Sequence, residues 1–213
     1  YSRDTELLNA VLPRARRAMN FLLNQLRGKN GLIDTDYLSG HYNDGLKGTG
    51  TGLGNGYWDV LAFPKVNLYC NISYYNALNA MAYLEEMSGS YNAENREVYT
   101  VNAAMNGTDR YGETAESLKK LAETCKTAVR KTFWNEKTGR FHVGIRDEDN
   151  TVQDHGYAMF NEQVVASGLA TEEQTRSILS WLDGTRIVEG DNSKGEDISR
   201  YEFAPRFNTE EIG

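Results

Sequence analysis

A chain of 213 residues is long enough for one sizeable hydrophobic core, and residues 1–213 are read as a single domain. Its 23 Lys+Arg against 30 Asp+Glu leave a formal charge of -7 with no basic stripe, which argues against a nucleic-acid partner held through its phosphates. No apolar run approaches the roughly 20 residues that cross a bilayer, and the N-terminal YSRDTELL lacks the basic and apolar regions of a signal peptide. The reading is a soluble chain with no membrane partner, its compartment open with a lean to the cytoplasm.

From Glu6 to Arg27 the apolar positions Leu8, Val11, Leu12, Ala15, Met19, Leu22 and Leu26 recur at the period of one helix face, with Asp4 or Thr5 placed to cap it. Pro13 costs about 3 kcal/mol inside a helix, which predicts a kink or a helix start near it. Gly28 and the segment GKNGLI then stop the helix and begin a short extended piece. Asp34 to Lys65 carries glycines at 48, 50, 52, 54 and 56 and no helical period; a loop of that length inside a compact domain is expected to be functional. Helical spacing returns from Val66 to Met87 through Leu68, Ile72, Tyr75, Leu78 and Ala82. The polar stretch Ser90–Tyr111 is read as a loop with a short helix over Ala93–Tyr99.

A strong helix is predicted from Glu113 to Trp134, with Leu118, Ala122, Cys125, Val129 and Phe133 on one face. Lys137-Thr138-Gly139 then turns the chain, Phe141, Val143 and Ile145 alternate as in a strand, and Asp147–Asn150 is a second turn. Tyr157–Ser167 reads as a helix broken at Gly168, and Thr171 with Gln174 forms a capping box for a helix ending at Leu182-Asp183-Gly184. Thr185–Gly213 is rich in loop residues. Cys70 and Cys125 both fall in helical segments among apolar neighbours and are read as buried free thiols.

The order of elements contains a repeat. A long helix is followed by a short extended piece (GKNGLI, then EKTGRFHVGI), a loop, and a Gly-Tyr dipeptide leading to the next helix, at Gly56-Tyr57 and again at Gly156-Tyr157. The fold class is therefore all-α: helical hairpins in series with short β-hairpin pieces between them, an arrangement that closes into a toroid or stacks as a solenoid.

Several segments carry candidate chemistry. The glycine ladder GTGTGLGNG fits neither phosphate-binding spacing, so its use is steric, letting backbone approach a ligand. Tyr57-Trp58-Asp59 follows at once, setting flat rings beside a carboxylate, as sugar recognition requires; core packing of Trp58 and helix capping by Asp59 account for the same residues equally well. Asp154-His155-Gly156-Tyr157 occupies the corresponding loop of the second unit. If the two loops are equivalent, Asp59 and Asp154 face one opening, where inverting glycoside hydrolysis needs two carboxyl groups roughly 6.5–9.5 Å apart. Helix capping is the alternative for Asp154, a hydrogen-bonded loop position the alternative for His155, and Glu162 is a further carboxylate inside the helix. The histidines His41, His142 and His155 show no zinc spacing, and Asp147, Glu148 and Asp149 miss that of a calcium loop, so no metal and no cofactor is expected.

Taken in order, GNGYWDVLAFPKVNLYCNISYYNALNAMAYLEE, FWNEKTGRFHVGI, QDHGYAMFNEQVVASGLATEEQTRSILSWLDG and FAPRFNT resemble the six-hairpin glycosidases. These are (α/α)6-toroid enzymes that include trehalases, processing α-glucosidases, glycogen-debranching glucosidases and α-L-rhamnosidases. The resemblance runs from about Asn30 onward and implies an inverting glycoside hydrolase acting on an oligosaccharide or glycoside. It makes Asp59 the general acid, lines a sugar subsite with Tyr57 and Trp58, and brings Asp154, Arg206, Asn208 and Thr209 to the same mouth. Asp154 is taken as the second catalytic carboxylate from the geometry of the repeat, with His155 and Tyr157 beside the substrate. A full toroid has about twelve helices, and at roughly 1.5 Å per residue this chain supplies five or six. The expectation is about half a ring, partnered by the remainder of a larger toroid. Two other readings stay open: a glycan-binding or structural piece without chemistry, and an epimerase or polysaccharide lyase, the latter disfavoured by the acidic charge.

Overall fold

The computed structural model describes residues 4–35, 63–89, 111–146, 149–154 and 156–189. Most of the long glycine-bearing loop, the helix expected over Ala93–Tyr99 and the segment after Glu189 lie outside the described residues.

The described residues form an all-α fold with one short two-stranded sheet. Helix α1 spans Thr5–Asn20, and Asp4 caps it by accepting the Leu7 amide at 2.9 Å. It runs through Pro13 unbroken and continues as a π-helical turn, Phe21–Gln25. Proline cannot donate to the carbonyl four residues back; that carbonyl belongs to exposed Asn9, where water can take the missing donor's place.

Helix α2, Leu68–Gly89, begins two residues later than its apolar spacing predicts, because Asn67 caps it. The Asn67 side chain accepts the Cys70 amide at 2.9 Å and donates to the Pro64 carbonyl at 3.0 Å. Helix α3, Ala115–Phe133, opens on a capping box in which Thr114 and Ser117 exchange side-chain bonds to each other's amides. Strands β1 (Trp134–Asn135) and β2 (Arg140–Phe141) pair antiparallel, Trp134 opposite Phe141. Helices α4 (Ala158–Ala166) and α5 (Glu172–Leu182) follow, α5 starting at the expected Thr171–Gln174 box. The expected strand over Phe141–Ile145 survives only as β2 and two isolated bridges, Asn67 to Gly144 and Ile145 to Val152.

Helices α2 and α3 pack along their length, α1 lies on α2, and α4 lies between α2 and α5. One continuous core runs from Leu12 of α1 to Ile178 of α5, with Phe63, Tyr74, Leu118, Phe133 and Phe160 among its fully buried members. A buried ion pair crosses it from α1 to α2: Arg16 Nε and Nη2 donate to Glu85 Oε1 and Oε2 at 2.8 and 2.7 Å. Removing one partner of such a pair costs about 3–5 kcal/mol, because the other charge is left buried and alone.

The repeat is present, in a register the Gly-Tyr dipeptides do not mark. In the first unit, Asn71 Oδ1 accepts the Ile33 amide at 2.8 Å, while its Nδ2 donates to the carbonyls of Ile33 and Asn67 at 3.3 and 2.8 Å. In the second unit, Asn161 does the same: Oδ1 accepts the Phe141 amide at 2.8 Å, and Nδ2 donates to the carbonyls of Phe141 and Tyr157 at 3.1 and 3.0 Å. Each asparagine is the fourth residue of its helix and fully buried. Each pinned residue lies two positions after a left-handed glycine, Gly31 (φ 102°) or Gly139 (φ 62°). The next residue donates back to the end of the preceding helix, Asp34 to Leu26 O and His142 to Phe133 O, both at 2.9 Å.

The glycines are seated alike as well. A Cβ on Gly31 would meet Thr124 and Ala128 of α3 at 3.3 Å, and one on Gly139 would stand 2.5 Å from Ser177 Oγ of α5. The first unit is therefore α1, turn, α2 and α3, and the second is α3, turn, α4 and α5, with α3 shared. This register separates the two Gly-Tyr dipeptides: Tyr157 immediately precedes its helix, whereas residues 58–67 separate Tyr57 from Leu68. Asp154 directly follows the paired Gln153, and its first-unit counterpart by this register is Val66; Asp59 lies outside the described residues.

Candidate active site

Of the residues singled out from the sequence, Tyr57, Trp58, Asp59, His155, Arg206, Asn208 and Thr209 lie outside the described residues. Asp154 and Tyr157 lie within them, in the junction that joins the second unit's extended segment to α4. That junction begins after Gln153, whose carbonyl accepts the Val143 amide at 2.9 Å. The corresponding bond in the first unit runs from the Thr35 amide to the Lys65 carbonyl at 3.0 Å. Between this paired residue and the helix the first unit has two residues, Val66-Asn67, and the second has four, Asp154 to Tyr157. The entire Asp-His-Gly-Tyr motif is thus the longer junction of the second copy.

Asp154 is held from three sides. Its Oδ2 accepts Asn135 Nδ2 of β1 at 2.8 Å and Thr138 Oγ1 of the β1–β2 turn at 2.5 Å, and its Oδ1 accepts Arg140 Nε at 2.7 Å. The pair is buried, with side-chain exposures of 3% for Arg140 and 10% for Asp154. A carboxylate oxygen has two lone pairs, so both of Oδ2 are occupied and Oδ1 retains room for one further partner. Helix capping, the bland alternative, is not what it does; it staples its junction to the hairpin.

Arg140 is the centre of this arrangement and was not singled out from the sequence. Its guanidinium carbon lies 4.7 Å from the centroid of the buried Trp181 ring. Gly156, at φ 64°, sits so close that a Cβ would stand 2.7 Å from Arg140 Nη1. Beneath it, Arg186 closes the hairpin turn, donating to the carbonyls of Thr138 at 2.7 Å, Gly139 at 3.0 Å and Ser177 at 2.9 Å. The sequence signal that bears on this was the Lys137-Thr138-Gly139 turn; the partners Trp181 and Arg186 come from distant sequence.

Tyr157 lies at the N-cap of α4. Its ring is buried among core rings, 6.0 Å from Phe63 and 5.1 Å from Phe160 by centroids. Glu162 is exposed on α4. His142 is buried between the hairpin and α3, edge-on to Phe133. Burial lowers its pKa from 6.5, partly offset by the charge of Asp154. The free thiols are poor nucleophiles: burial pushes Cys70 up to about 11 and Cys125 up to about 12. Cys125 is buried as expected, whereas Cys70 is only half-buried. Among the described residues no helix is long and apolar enough to cross a membrane.

No protein-family model matches the chain, and no curated protein sequence matches it. Among solved structures the chain is similar to a neutral trehalase from Saccharomyces cerevisiae, at 17% identity and a TM-score of 0.38. The match covers 56% of this chain and 19% of the trehalase, so it spans less than a fifth of that enzyme's length.

Proposed function

We propose that the chain belongs to the catalytic toroid of an inverting glycoside hydrolase and carries its general acid, Asp59. The observation that supports this most is the order of motifs resembling the six-hairpin glycosidases, on a chain whose helices are joined twice by one latched helix–turn–helix unit. In this reading Tyr57 and Trp58 stack on the apolar face of the sugar, and Arg206, Asn208 and His155 bind its hydroxyls. Asp59 protonates the departing glycosidic oxygen, which requires a carboxyl whose pKa is raised toward the working pH by a nearby apolar ring such as Trp58.

Asp154 belongs to the same mouth in this reading, with a role set by its three donors. A carboxylate committed to Asn135, Thr138 and Arg140 is better suited to fixing its junction, and to offering the remaining lone pair of Oδ1 to a substrate hydroxyl, than to deprotonating water. The base that activates water is then another carboxylate, here or elsewhere in the toroid.

The test uses the full-length protein on a panel of α-glucosides and α-L-rhamnosides, with product anomers followed by NMR. Hydrolysis with inversion is expected, and Asp59→Asn lowers kcat by on the order of a hundredfold or more while the protein stays folded. Unchanged turnover in Asp59→Asn removes Asp59 from the mechanism. Release of an unsaturated sugar or an isomer, or saturable glycan binding with no turnover by the intact protein, overturns the hydrolase reading.

A further inference from the structure

The two latched units provide an internal control. Both use the same asparagine latch, left-handed glycine and return bond to the preceding helix, so these features suffice to build the unit. The second unit then departs from the first at positions that touch one another. The residue after the left-handed glycine is Leu32 in the first unit and Arg140 in the second. The junction before the helix is Val66-Asn67 in the first, whereas in the second it brings Asp154 and Gly156 against Arg140. An apolar residue in one copy is thus replaced by half of a buried ion pair in the other.

Stability does not explain the replacement. Burying an ion pair is generally no better for stability than burying apolar groups of similar size, and the first unit forms its latch without one. What a guanidinium adds is direction. It is a rigid planar fork, and here it packs against both the Trp181 ring and the Gly156 backbone, with its Nε aimed at Asp154 Oδ1. Gly156 meets the same demand: its φ of 64° disfavours a side chain, and a Cβ there would force Nη1 to shift. Through Asp154 the constraint reaches Asn135 and Thr138, so the hairpin turn and the junction move as one piece.

We infer that Arg140 is a positioning residue, which sets Asp154 and the Gly156 backbone at the start of α4 in the orientation a bound sugar requires. The inference rests on the glycosidase reading for its ligand class, but its geometric half stands apart from it. Arg140 touches no substrate; it acts through Asp154 and Gly156.

The experiment compares Arg140→Lys, which keeps the charge and loses the planar fork, with Gly156→Ala, which keeps Arg140 and displaces the backbone above it. Each is measured in the full-length protein by hydrogen exchange and by steady-state kinetics on its best glycoside. The expected result is exchange at the Gly156 and Tyr157 amides faster by on the order of tenfold, with α3 exchange unchanged. With it, kcat falls by on the order of tenfold to a hundredfold while KM moves much less, as for a group displaced by about an ångström. Two results overturn the inference: wild-type exchange and kcat in both variants, or exchange that rises equally in α3 with kcat per folded molecule unchanged, which is the signature of a merely structural pair. If the wild type hydrolyses no glycoside, the glycosidase reading falls, and calorimetric titration with an oligosaccharide mixture replaces the kinetic arm. Unaltered affinity in both variants then overturns the positioning role.

Discussion

A buried backbone group left without a partner costs about 1–3 kcal/mol, and Asn71 and Asn161 each satisfy both polar groups of one residue in an extended piece. Truncating either to alanine leaves a buried amide and a buried carbonyl unpaired. Asn71→Ala and Asn161→Ala are therefore each expected to lose about 3 kcal/mol or more in urea denaturation, and to lose it to a similar extent, since the geometry is the same. A cost confined to one site would break the equivalence of the two units. His142 supplies a pH dependence at the same scale. Its folded pKa is lowered from 6.5 because burial disfavours the cation, with Asp154 opposing in part. Above 6.5 both folded and unfolded states are neutral at this site; as pH falls below 6.5 the unfolded chain binds the proton first, so stability is lost. The urea midpoint is expected to drop between pH 7 and pH 5, and the drop to be shallower in His142→Gln. An equal drop in both would assign the effect to other groups.

At the scale of elements, what the sequence discloses is what is local. The period of apolar residues located α1, α2 and α3, and the Thr171–Gln174 box located α5, because helix faces and caps are written within a few residues. The latches were not legible: Asn71 reaches Ile33 across 38 positions and Asn161 reaches Phe141 across 20, and no short pattern encodes such a bond. The Gly-Tyr dipeptides pointed to a repeat, but its register among the described residues is set by Asn71 and Asn161. Arg140 was not singled out, because the ring it packs on, Trp181, comes from α5, 41 positions away. Asp154 was named from the sequence, whereas the side chains that hold it, Asn135, Thr138 and Arg140, were not. The turn itself yields a prediction. Gly139→Ala forces a left-handed alanine, costing about 1–2 kcal/mol, and pushes a Cβ to 2.5 Å from Ser177 Oγ. Its thermal midpoint is expected to fall well below that of Gly112→Ala, where nothing lies within 4 Å of the new carbon. Equal midpoints would show that the turn relaxes freely.

At the scale of the whole molecule, the consequence of sharing α3 is mechanical. In a chain of repeats each unit normally contacts only its neighbours, so damage stays local unless an interface carries it onward. Here the interface is an entire helix. The carbonyl of Asn71 accepts the Cys125 thiol of α3 at 3.9 Å, Gly31 seats on Thr124 and Ala128, and from the same helix Arg130 donates to the carbonyls of Leu169 and Ala170 ahead of α5. Core residues from α1 to α5 belong to one cluster through Leu118, Val129 and Phe133. Loosening the first unit therefore removes support from the second through α3. In native-state hydrogen exchange, Asn71→Ala is expected to speed exchange in α5 as well as in α1, by factors approaching the change in global stability, because α5 opens with the helix on which it depends. Were α5 to keep wild-type protection while α1 and α2 lose theirs, α3 would be acting as a boundary between two separately stable bodies. The shared helix would then be a feature of geometry without energetic coupling between the units.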